Sequence, residues 1–149
     1  MLNTLLVRIA AASALLVAPL AYAASPVINV YKTATCGCCS AWIDHLKSSG
    51  FKVVAHDVAD PGTIRAKFGI SEQYGSCHTG VIGGYAIEGH VPASSIRKLL
   101  KEKPKASGIA VPGMPMGSPG MEGARKDAYN VLLVAKDGTS KPYTKHAGD

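Results

Sequence analysis

Three thiols fall within four residues at Cys36-Gly37-Cys38-Cys39, and the only other cysteine, Cys77, is followed directly by His78. Cys36 and Cys39 form a Cys-x-x-Cys pair, whose sulfurs can meet across one turn. At a helix N-terminus, unpaired N–H groups and the dipole favour thiolate over thiol, making the first Cys a nucleophile and the second a buried resolver. Cys38 complicates that dithiol chemistry, because a third thiol can attack or scramble the bridge. The same low thiolate pKa suits a metal, and thiolates are soft donors that select Cu(I), Zn or iron–sulfur units. Three sulfurs in one turn do not easily surround one ion, but they can bind and bridge two or more Cu(I) ions.

Zinc usually takes two separated ligand pairs. The second pair would have to be Cys77-His78, and copper is the preferred reading. Taken singly, Cys77 also reads as a small buried hydrophobe and His78 as a hydrogen-bonded loop histidine. Met114, Met116 and Met121 sit in a Gly/Pro-rich stretch that cannot bury them as a helical stripe. Thioethers bind Cu(I) without deprotonation, and the alternative is gap-filling packing. Met114 and Met116 are the stronger candidates of the three. His45 lies about two turns into a helix, too far down to join the thiols, and His56 ends a strand. His90 and His146 read as uninvolved.

The elements that must position these groups follow from periodicity. Val27 to Tyr31 is a short strand, and a loop over 32–35 delivers the thiols. Trp42, Ile43 and Leu46 recur at helical spacing, with Gly50 just past the helix end. Phe51 to Val54 restores a strand pattern, so 27–57 is a βαβ-type unit with parallel pairing. Asp60-Pro61 starts a short helix that Gly69 ends. Thr79–Ile82 and Tyr85–Glu88 flank Gly83-Gly84 as a hairpin. Pro92 opens a helix with Ile96, Leu99 and Leu100 on its buried stripe, and Pro104 stops it. The order β-α-β-α-β-β-α predicts an α/β thioredoxin-like single domain. In such folds the residue before the hairpin faces the Cys-x-x-Cys turn and is usually a cis-proline; Cys77-His78 stands there instead. The stretch 104–128 reads as a Met/Pro/Gly-rich loop, with Ile109 to Met121 lacking the periodicity of an element, and 129–145 as an appended β-hairpin.

The N-terminus reads as a signal peptide over 1–23. Arg8 is basic, Ile9 to Leu20 is an apolar run broken by Ser13 and Pro19, and Ala21-Tyr22-Ala23 is an Ala-x-Ala cleavage site. The run is shorter than the ~20 residues a membrane span needs, so the expectation is an exported, periplasmic domain over 24–149 with no membrane role after cleavage. That size supports a core without disulfide staples, and the clustered cysteines are badly spaced for structural bridges. The formal charge of +6 is spread out, and only Arg97 to Lys105 is densely basic. There is no nucleic-acid motif, no Gly-x-Ser-x-Gly elbow and no phosphate loop.

Three blocks carry a resemblance: Val30-Tyr31-Lys32-Thr33 through Cys36-Gly37-Cys38-Cys39 to Trp42; Ser76-Cys77-His78-Thr79 with Glu88-Gly89-His90-Val91-Pro92; and Val111 to Glu122. In this order they resemble the periplasmic metal-binding family that includes the copper-resistance protein CopG, over roughly 27–135. The resemblance implies a thioredoxin-like fold and an exported copper-binding protein of Gram-negative bacteria with a role in copper tolerance. It implies metal ligation by Cys36, Cys38, Cys39, Cys77, His78, Met114 and Met116. The expected cargo is Cu(I), with more than one ion as an option, and other periplasmic copper-handling proteins are the natural partners. The competing reading is an enzyme, a thiol–disulfide oxidoreductase or Cu(II) reductase, in which Cys36 and Cys39 are catalytic. An exported adhesive or structural module has only the extra hairpin in its favour.

Overall fold

A computed structural model describes residues 26–147, so the leader read over 1–23 lies outside the described residues. The chain runs β1 (Val27–Lys32), α1 (Gly37–Ser48), β2 (Lys52–Asp57), α2 (Gly62–Lys67), a 3-10 turn (Glu72–Tyr74), β3 (His78–Ile82), β4 (Tyr85–Gly89), α3 (Ala93–Glu102), β5 (Gly108–Val111), β6 (Tyr129–Val134) and β7 (Ser140–His146). All the strands join one seven-stranded sheet in the order β2-β1-β3-β4-β5-β6-β7.

The local signals explain most boundaries. α1 buries Cys39, Trp42, Ile43 and Leu46, which recur on one face. It stops in a Schellman arrangement: Gly50 takes φ +86, its N–H bonds the Lys47 carbonyl, and the Phe51 N–H reaches back to Leu46. At α2 the Asp60 carboxylate accepts from the Gly62 N–H at 2.8 Å, leaving Pro61 at the cap position. α3 buries Ala93, Ser95, Ile96 and Leu99, and ends where Lys103 turns left-handed before Pro104.

Successive residues of the central strands feed opposite faces of the sheet. Ile87, Ile109 and Val111 join Trp42, Leu46, Ile96 and Leu99 in the main core. Ala86 and Ala110 face a smaller cluster with Ile70 and Tyr74. Fully burying each large apolar side chain is worth about 1.5–3 kcal/mol, so α1 and α3 hold their face of the sheet firmly.

β5 corrects the sequence reading. Residues 108–111, assigned above to the Met/Pro/Gly-rich loop, form a strand in which every residue is buried. It runs parallel to β4, with Ile87 opposite Ile109. A strand covered on both faces carries no polar alternation, and a four-residue apolar run before Pro112-Gly113 offers no period to read. β4-α3-β5 is therefore a second βαβ crossover, and β6 pairs onto β5. The terminal hairpin is appended through β6 on β5 and extends the main sheet.

Candidate metal centre

Strand register brings the chemistry-bearing segments to one end of the central strands. Lys32 at the end of β1 lies opposite His78 at the start of β3. β3 runs antiparallel to β4, with Thr79 opposite Glu88, and Gly89 at the end of β4 lies opposite Val111 at the end of β5. The turn into α1, the segment before β3, the segment after β4 and the loop after β5 all leave the sheet there.

Cys36 caps α1, and Cys38 and Cys39 occupy its first turn. Cys36 and Cys39 are joined as a disulfide, while Cys38 and Cys77 are free and half-buried. The Cys77 sulfur lies 3.2 Å from that of Cys36 and 3.6 Å from that of Cys39, and Cys38 is 3.6 Å from Cys36. All four sulfurs fall within 4.8 Å of one another, a group that could hold a metal ion. Thiolates sharing a tetrahedral ion at 2.3 Å sit ~3.8 Å apart, so the set fits a soft cation with small adjustments once the disulfide is reduced. Burial pushes the Cys77 thiol above the ordinary cysteine range, and the nearby Cys38 pushes it the same way. A bound cation would reverse that logic by stabilising the thiolates directly.

The segment carrying Cys77 is held from the opposite face. Glu88 is fully buried; its Oε1 accepts from the Ser76 N–H at 2.6 Å and its Oε2 from the Thr79 hydroxyl at 2.7 Å. The Ser76 Oγ lies 2.9 Å from Glu88 Oε1 and 2.8 Å from the His78 carbonyl, so its single proton serves one or the other. Arg65, also buried, donates to Glu88 and to the Ser76 carbonyl, both at 3.3 Å, and pairs with Glu72. Burial raises the Glu88 carboxyl above the usual range, opposed by the Thr79 and Ser76 hydrogen bonds and by Arg65. Residues 76–79 are thus clamped on both sides of the Cys77 thiol.

His78 is fully buried and stacks on Trp42 with centroids 4.4 Å apart. Its Nε2 contacts the Gly89 carbonyl at 3.1 Å, and its Nδ1 has no hydrogen-bond partner. His90 is equally buried, with Nδ1 2.8 Å from the Pro119 carbonyl and Nε2 unpartnered. Burial drives both rings towards the neutral form, and with His90 beside it His78 is pushed down to about 3.

The loop after β5 is seated on α1 by Gly120. That residue takes φ +86, and a Cβ there would stand 2.9 Å from the Trp42 nitrogen and 3.0 Å from the Cys38 carbonyl. Only glycine tolerates both the dihedrals and the approach. The loop is tied internally by bonds from Met121 N–H to the Ser118 carbonyl and from Asp127 N–H to the Met116 carbonyl, both 2.8 Å. Met114 is 36% exposed with φ +45, and Met116 has its methyl beside Gly123.

The structure therefore gathers Cys36, Cys38, Cys39 and Cys77, sets His78 behind them against Trp42, and leaves the methionines on the overlying loop. His45 accepts from the Ala93 N–H, His56 contacts Asn29, and His146 contacts Ser95 and Thr144. Sequence reasoning passed over Glu88, Arg65, Gly120 and the burial of His90. The signal for Glu88 was a carboxylate inside Tyr85-Ala86-Ile87-Glu88-Gly89, because a charge in such a strand is kept only when paired.

Residues 74–121 match a family described as a protein of unknown function, DUF411. No curated protein matches the chain. Among solved structures, copper resistance protein CopG in its form 1 is 48% identical, with a TM-score of 0.76, over 82% of this chain and 98% of that one. Its form 2 gives the same identity and TM-score over 81% of this chain and 98% of that one. With nearly half the residues shared along the whole of that protein, the chain belongs to the family of copper resistance protein CopG.

Proposed function

We propose that this protein is an exported, periplasmic copper-binding protein that holds Cu(I) on Cys36, Cys38, Cys39 and Cys77 and contributes to copper tolerance. The observation that carries the reading is the group of four sulfurs within 4.8 Å in a member of a copper-resistance family. The strand order β2-β1-β3-β4 with α1 opening on the thiols supports a thioredoxin-like core. His78, Met114 and Met116 serve as accessory donors, the methionines from the loop that Gly120 seats on α1. The leader over 1–23 directs export, and other periplasmic copper-handling proteins supply or receive the ion.

Thiol redox state couples to the cargo. Closing the Cys36–Cys39 bond passes two electrons to an external thiol oxidant, such as another protein's disulfide that becomes a dithiol, and removes two of the four thiolate donors, so oxidation displaces copper and reduction restores the site. The disulfide also favours a second reading, an oxidoreductase in which the Cys36–Cys39 dithiol gives one electron to each of two Cu(II) ions. That step yields two Cu(I) ions, the disulfide and two protons.

Anaerobic titration of the reduced protein with Cu(I) and with Zn(II), followed by intact-complex mass spectrometry, tests the main reading. Copper is expected to displace zinc, and tighter zinc binding would sink the proposal. Cys38→Ser separates the two readings, because it cripples a thiolate cluster yet leaves a Cys36–Cys39 redox pair active.

A further inference from the structure

Behind the cysteines, two imidazoles carry bare lone pairs inside the protein. His78 and His90 are both fully buried, with ring centroids 5.3 Å apart. The backbone fixes both tautomers. A carbonyl oxygen only accepts, so His78 Nε2 holds its proton against Gly89 and His90 Nδ1 holds its proton against Pro119. The remaining nitrogens, His78 Nδ1 and His90 Nε2, are therefore acceptors, and neither has a partner. Two acceptors cannot satisfy each other, and buried polar atoms left open call for a shared donor or a cation.

A ring anchored through one N–H on a backbone carbonyl, with its other nitrogen bare, is how proteins orient a histidine for metal. The donors also say which metal. Both are neutral and buried, His78 against the Trp42 ring and His90 against His78, so a divalent ion would remain an uncompensated buried charge. Zinc would need about four ligands. A monovalent, soft d10 ion accepts two imidazoles. We infer that His78 Nδ1, the accessory donor of the reading above, forms with His90 Nε2 a two-nitrogen Cu(I) site beside the four-sulfur group, an inference that rests on that reading for copper as the cargo.

The site lies close to the thiols along α1. A Cβ on Gly120 would reach His90 Nδ1 at 3.3 Å and the Cys38 carbonyl at 3.0 Å, so that one glycine separates the ring from the first turn of α1. Imidazoles do not oxidise to a disulfide. The pair therefore retains Cu(I) when Cys36 and Cys39 close and the thiolates let go.

The test uses the full mature chain with Cys36→Ser, Cys38→Ser, Cys39→Ser and Cys77→Ser combined, given Cu(I) anaerobically. The expected result is one copper per chain, with a nitrogen-only first shell of two by X-ray absorption. Adding His90→Asn should weaken binding more than about ten-fold. In the native-cysteine chain, the 15N resonances of His78 Nδ1 and His90 Nε2 should move on Cu(I) addition, an arm that decides alone if the serine variant fails to fold. A serine variant that folds but holds no copper, or unmoved resonances in the copper-loaded native chain, overturns the site and leaves a bridging water on the pair. Copper bound without sulfur in the native chain would sink the thiolate reading and keep this one; a sulfur-only first shell does the reverse.

Discussion

Two buried polar groups sit back to back across β3 and β4, and they differ in how they are finished. On one face, Glu88 receives hydrogen bonds from Ser76, Thr79 and Arg65 on both its oxygens. On the other, His78 and His90 each spend one nitrogen on a backbone carbonyl and leave the second open. The residues are chain neighbours: Thr79 follows His78, and Gly89 alone separates Glu88 from His90. A closed network fixes shape, while unpaired acceptors at equal depth keep their lone pairs available to a donor or a cation. The Glu88 cage holds the segment that carries Cys77, and the histidine pair faces the helix that carries the other thiols.

The sharpest way to break this contrast is to open the closed side. Glu88→Ala leaves Arg65 buried with one partner fewer and strips the Ser76 N–H of its acceptor. Breaking a buried pair in this way costs about 3–5 kcal/mol. Equilibrium urea denaturation of the reduced, metal-free protein reads it. A cost below 1 kcal/mol would show that the cage holds nothing, and the asymmetry would dissolve.

Gly120→Ala should follow, at about 2 kcal/mol or more from the left-handed φ and the backbone contact with Trp42 and Cys38. The expected outcome is a lifted loop, seen as faster hydrogen exchange over 117–121 and a shift in the emission of the single tryptophan. An unchanged tryptophan signal would mean that the loop is not seated on α1.

Much of this arrangement was legible because its signals are local. The Trp42, Ile43 and Leu46 stripe, Gly50 past the helix end and the Gly83-Gly84 turn each state an element within a few residues. Cys36, Cys38 and Cys39 were visible as a candidate group for the same reason, while Cys77 joined them only through the fold that the element order implied. β5 was not legible, since Gly108–Val111 gains its meaning only from being covered on both faces. Glu88 and His90 were missed on similar grounds, because burial comes from partners far along the chain, Arg65 in one case and Pro119 in the other. The sequence names donors; the fold decides which of them are left open.

Acidification acts on the open side and has a definite sign. His78 is pushed from 6.5 down to about 3 by burial and by its neighbour His90, which burial also lowers. In the unfolded chain both rings take protons near pH 6.5. Between about pH 6.5 and 3 the unfolded state therefore binds more protons than the folded one. Stability is fully present above 6.5 and is lost as pH falls, by up to ~1.4 kcal/mol per pH unit for His78, with His90 acting in the same direction. Urea midpoints of the metal-free protein at pH 7.5 and 5.5 measure this. A flat profile would mean that the rings are charged or solvated and that the pair is not a buried neutral site.

The smallest effect on stability belongs to the residue the comparison most depends on. His90→Asn keeps an N–H able to reach the Pro119 carbonyl and removes the bare Nε2. The amide exchanges one unpaired buried acceptor, Nε2, for another, its own Oδ1, so the desolvation cost is carried over and the metal-free variant should lie within about 1 kcal/mol of wild type. A structural histidine would behave otherwise, and a loss approaching that of Glu88→Ala would place His90 with the cage. Near-neutral stability together with weakened copper binding is the combination that a ligand gives and a packing residue does not, because the energy of an open donor is realised only when its ion arrives.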